Sequence, residues 1–78
     1  MKIIALSEIR IENGDYVDKM CLINPEHMVS AHRGLLTKPG PHVIGDERTR
    51  ELTQVMLLGS NPIFVNESIE EIANLVTK

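Results

Sequence analysis

The chain has 78 residues and a net charge of −3, with eight Lys and Arg against eleven Asp and Glu, one Cys, no Trp, one Phe and one Tyr. That length holds one domain with a thin core, burying roughly 60–65% of the unfolded surface, and a lone cysteine excludes both an intramolecular disulfide and a thiolate zinc site. An acidic balance with two aromatics argues against general nucleic-acid binding, which needs a basic groove and stacking platforms.

The opening MKIIALSE carries one lysine and an apolar run of four. That is too short for a signal peptide or a membrane span, so a soluble cytoplasmic protein is expected. Residues 8–12 alternate strictly between polar and apolar, the period of a half-buried strand. Asn13-Gly14 follows, and both residues tolerate the positive φ of a two-residue hairpin turn. The return strand is expected from about Asp15 to Ile23, and its Cys21, inside MCLI, reads as a small buried hydrophobe in a reducing compartment. Asn24-Pro25 ends it, because the proline lacks an amide proton and biases Asn24 away from helix. Pro25 to Met28 then reads as one helical turn capped by Asn24, and residues 29–32 as a short joining strand.

Beyond a long charged connection, residues 52–58 read as a strand, Gly59-Ser60-Asn61-Pro62 as a turn, and Ile63-Phe64-Val65 as the last strand. Ser68 and Glu71 have capping-box spacing at the start of a C-terminal helix. Glu67, Glu70 and Glu71 suit its positive end, Lys78 its negative end, and Ile69, Ile72, Leu75 and Val76 are expected on the face that packs on the sheet. The expected fold class is α+β: a small antiparallel β-sheet of two hairpins plus a joining strand, with one C-terminal helix packed on it. It forms a single domain over residues 1–78, with an arm inserted at about residues 33–50. A small domain without disulfides or metals gains stability by oligomerising, so a homo-oligomer is expected through the helix-free side and the sheet edges.

Two pieces, RIENGDYVDKMCLINPEHMVSA and VNESIEEIANLV, resemble the start and end of small FlbD/SwrD-type flagellar accessory proteins. Those have a strand, an NG turn, a second strand, an N-P turn into a third strand, and a final strand running into a short helix. The resemblance covers about three-quarters of the chain and implies the same small fold and an accessory, protein-contacting role. It assigns no catalytic or ligand residue. The connection before the second hairpin is longer and more charged here than in that family.

Chemistry-bearing groups are sparse. His27, His32 and His42 are too irregularly spaced for a helix-borne metal pair, and no Cys-x-x-Cys or HExxH is present. Cys21 has only Lys19 as a nearby cation, and Ser30 and His32 share a strand face with nothing to supply an oxyanion hole. No enzyme, metal or cofactor is expected.

The stretch HRGLLTKPGPHVIGDERTRE, residues 32–51, stands apart. Within residues 32–50, Arg33, Lys38, Arg48 and Arg50 face only Asp46 and Glu47, a balance of +2 against −5 for the rest of the chain. Connections beyond about 12–15 residues without structure of their own are commonly functional or disordered. This one also holds Leu35, Leu36, Val43 and Ile44, and is stiffened by Pro39-Gly40-Pro41. A bland solvated loop would explain the charges alone. A stiff, partly apolar, basic arm suits a segment that reaches onto a neighbouring subunit. On that reading the protein is a non-catalytic oligomeric binding protein. Arg33, Lys38, His42, Arg48 and Arg50 are its candidate ligand-binding residues, and a small phosphorylated molecule such as a nucleotide or cyclic nucleotide is its ligand. In design this resembles phage-encoded sponge proteins that sequester signalling nucleotides. The alternative is a protein–protein module, a flagellar accessory or a phage inhibitor of a host protein, using a sheet edge or the arm. No membrane partner is expected in either case.

Overall fold

The computed structural model describes residues 2–40 and 48–78. They form a five-stranded antiparallel sheet and one C-terminal helix, the small α+β fold expected from the sequence. Strands β1 (Ile4–Glu12) and β2 (Asp15–Ile23) pair in unbroken register from Ile4 opposite Ile23 to Glu12 opposite Asp15. Asn13 (φ 55) and Gly14 (φ 78) make the turn between them, both in the left-handed region that this hairpin demands. A 3₁₀ turn at Pro25–His27 follows, and Asn24 accepts the Glu26 N–H at 3.0 Å.

Strands β3 (Met28–Thr37) and β4 (Thr49–Leu57) form a second long hairpin with a bulge between Met28 and Ser30. The short strand β5 (Ile63–Val65) sits in the middle of the sheet, paired with both β1 and β4, so the strand order is β2-β1-β5-β4-β3. Helix α1 (Ile69–Thr77) starts at the reciprocal capping box, where Ser68 and Glu71 exchange backbone-to-side-chain bonds of 3.1 and 3.2 Å.

The structure departs from the sequence reading in four places. The first strand begins at Ile4 rather than Glu8. The joining strand is not short: β3 has ten residues and is the full hairpin partner of β4, so much of the supposed loop is ladder. At the far end of α1 the cation is Lys2, whose Nζ donates to the carbonyls of Val76 (2.9 Å) and Lys78. On the helix face only Ile72 is buried and Leu75 half-buried, whereas Ile69 and Val76 remain exposed, because nine residues give two turns of contact.

Chain connectivity dictates the shape of the sheet. In a flat sheet of this order and register, the end of β2 and the start of β3 would lie at opposite corners, about 30 Å apart. The five Cα steps from Ile23 to Met28 span at most about 18 Å. The sheet therefore coils into a saddle, the shape that right-handed strand twist produces. One pair of opposite corners folds toward α1 and the other pair folds the opposite way. On the helix side, Ile4, Leu6, Ile23, Val55, Val65 and Ile72 form the main core. On the helix-free side, Ile9 and Leu52 are the buried apolar pair, and the Phe64 ring lies over Gly34, where a Cβ would come within 3.0 Å of the ring.

Candidate functional site

The arm is the distal part of the β3–β4 hairpin, held down at its base by one side chain from the other end of the sheet. Tyr16, at the start of β2, projects from the helix-free face and its hydroxyl lies 2.6 Å from the carbonyl oxygens of both Leu36 and Arg48. The Lys38 N–H also bonds the Arg48 carbonyl at 2.6 Å, so the two chains of the arm are still paired there. Two cations flank the Tyr16 ring: the Arg50 guanidinium carbon is 4.3 Å and the Lys38 ammonium 5.0 Å from its centroid. Lys38 also pairs with Asp15 at 3.1 Å. The bond from Lys38, then that from the Tyr16 N–H, holds the Asp15 carboxyl below its ordinary pKa.

The five sequence candidates are thus partly united. Lys38, Arg48 and Arg50 gather at the Tyr16 corner. Arg48 turns its guanidinium onto the carbonyls of Lys38 (2.9 Å) and Gly40, closing the arm on itself. Arg33 lies on the other face of the hairpin, paired with Glu51 at 3.0 Å. His42 lies outside the described residues, as do Val43 and Ile44. Two residues that sequence reasoning missed, Tyr16 and Asp15, organise the cluster. The available signal was that the chain's only tyrosine stands two residues past a hairpin turn, on a strand where its polar tip needs a partner.

Arg33 belongs to a second feature, a cleft of about 410 Å³ between the start of α1 and the arm. Its lining includes Arg33, Glu51 and Thr53 from the arm side and Asn66, Ser68 and Ile69 from the helix side. The segment joining β5 to α1 is fixed from both flanks. The Glu67 carboxylate accepts the Ser7 N–H at 2.9 and 3.1 Å, and Thr53 donates its hydroxyl to the Glu67 carbonyl at 2.7 Å. Leu35, with 65% of its surface exposed, borders a second hollow along the arm that shares Arg33 and Glu51 with the cleft, and Ile69 flanks the cleft itself at 41%.

Elsewhere, the Cys21 thiol is pushed above its ordinary pKa, first by burial and then by the charge of Glu8. Glu8 is itself buried and held by a two-pronged bond from Arg10 at 2.8 and 3.2 Å. No cluster of three or more potential metal ligands occurs among the described residues, and no helix there is long and apolar enough to cross a membrane. No protein-family model, curated protein or solved structure matches this chain.

Proposed function

We propose that this chain is a non-catalytic binding protein that works by protein contact, with the β3–β4 arm as its recognition element. The observation that carries this reading is the pairing of an exposed apolar residue, Leu35, with a cleft whose opposite wall ends in the exposed Ile69. Isolated exposed apolar residues are ordinary, but Leu35 and Ile69 border adjoining hollows that share the Arg33–Glu51 ion pair, and together they make an anchor site with a polar rim. Arg33 and Glu51, already paired in the open, are free to exchange partners with charges on an incoming segment. A flagellar-accessory role, or inhibition of a host protein, would be served by such a surface. In a pull-down from lysate, Leu35→Glu should lose a specific protein that the unaltered chain retains, while the melting temperature stays unchanged. If nothing retained depends on Leu35, the reading fails.

A second reading is favoured by one observation, the convergence of Lys38, Arg48 and Arg50 at the corner that holds Asp15 and Tyr16. Such a corner, completed by a neighbouring subunit in a homo-oligomer, would suit a small phosphorylated ligand such as a nucleotide or cyclic nucleotide. It ranks second because these cations already serve the fold: Arg48 binds arm carbonyls and Arg50 covers the Tyr16 ring. Native mass spectrometry of the purified protein, with release of any bound small molecule by heat, decides between the two. A stoichiometric phosphorylated ligand lost with Arg48→Ala and Arg50→Ala would move the conclusion to sequestration.

A further inference from the structure

We propose that a second copy of this chain pairs antiparallel along β2, giving a two-fold dimer in which the two sheets run on into one of ten strands. The proposal deepens the homo-oligomer part of the reading above and is independent of the arm cleft. Both edges of the sheet are open among the described residues, but they are not alike. Strand β3 is bulged at its first end, between Met28 and Ser30, which locally twists its pairing groups away from a neighbour and leaves a regular register only from Ser30 to Thr37. Strand β2 has nine residues, no proline and no bulge, and its register with β1 is continuous. A lysine on an edge strand normally discourages pairing. Here Lys19 is drawn back to Glu12 in its own hairpin, at 2.9 Å.

The apolar side chains on this edge supply the adhesive. Met20 and Leu22 are 81% and 69% exposed, two residues apart and so on one face, the helix-free one. Charge and shape then select the register. Centring the pairing on Asp18 or on Lys19 sets like charges directly opposite one another, which destabilises a ladder. Centring it on Met20 sets Asp18 against the partner's Leu22. Centring it on Cys21 sets Met20 against the partner's Leu22 twice over, on one face, and carries Asp18 beyond the paired stretch. Lys19 then lies opposite the partner's Ile23. Five residues a side bury an area at the low end of specific interfaces, below about 1,200 Å² in total, so the dimer is weak, with a dissociation constant on the order of 10 μM.

Sedimentation velocity across roughly 5 to 500 μM, a range set around that dissociation constant, reads the prediction. The unaltered chain should pass from monomer to dimer. Leu22→Lys and Met20→Lys should each raise the dissociation constant at least about tenfold, a change of 1.4 kcal/mol, while Leu35→Lys leaves it unchanged. Amide hydrogen exchange in β2 of the unaltered chain should slow with concentration. That second readout does not depend on any variant folding. A chain that stays monomeric throughout, or a dimer that survives Leu22→Lys, overturns the proposal. Retention of an arm-dependent partner by a monomeric chain would show that this inference had failed and the arm reading had not, since Leu22 and Leu35 lie on different strands and opposite faces.

Discussion

The two pairs of opposite corners of the sheet are closed in different ways. Where the end of β2 meets the start of β3, a four-residue connection brings the strands round and α1 fills the fold with Leu6, Val55, Val65 and Ile72, all almost fully buried. Where the start of β2 meets the end of β3, the contact is made by a phenol on two carbonyls, two cations over its ring and an ion pair. The first closure is apolar and non-directional, and the second polar and directional. A chain of this size has too few large apolar residues to build two full cores, so one tyrosine anchors the corner that the helix does not reach. Burial tolerates small displacements, whereas hydrogen bonds of 2.6 Å require the arm to sit in one place. That difference suits an arm that must be held in position.

The largest effect should come from the helix side. Leu6→Ala removes a fully buried side chain and should cost about 2–5 kcal/mol, lowering the melting temperature by more than about 10 °C in a domain of this length. Thermal unfolding by circular dichroism measures it. An intermediate effect belongs to the arm side. Tyr16→Phe keeps the ring and its cations but deprives the Leu36 and Arg48 carbonyls of a donor, for about 1–2 kcal/mol in urea unfolding. Hydrogen exchange sharpens the contrast: the Lys38 amide should lose protection in Tyr16→Phe more than the Ile72 amide, which bonds the Ser68 carbonyl at 3.0 Å. Equal loss at both sites would mean that the two corners open as one unit.

The smallest effect concerns acid. Asp15 titrates lower in the folded chain than in the unfolded one, so its contribution is complete above the unfolded value of about 4 and is lost as pH falls through the folded value. Its carboxylate is exposed, so the change in global stability should be slight. The effect should appear as faster exchange at Lys38 on acidification, absent in Asp15→Asn. An unchanged acid dependence in that variant would remove Asp15 from the closure.

Much of the local framework was legible in the residues. Asn13-Gly14, Asn24-Pro25, Ile63-Phe64-Val65 and the Ser68/Glu71 box each carry a backbone requirement within four residues, and each stands where it was expected. The arm was less legible. Gly34 and the charged tip masked the alternation of residues 28–37, so a ten-residue strand read as four residues of strand and a loop. Of the candidate cations, the cluster of Lys38, Arg48 and Arg50 was visible as a charge concentration, but what they do there depends on Tyr16, more than twenty residues away.

By itself, then, the sequence determined the turns, the caps, most strand positions and the class of the fold, because these depend on φ preferences, amide availability and side-chain period over a few neighbouring residues. Only the tertiary structure decided that β5 lies at the centre of the sheet, that Lys2 rather than Lys78 covers the helix end, and that Tyr16 pins the arm. The last of these follows from the coiling of the sheet, which the strand order imposes. Coiling brings distant corners together through the combined twist of five strands and one short connection, which no local window of sequence contains.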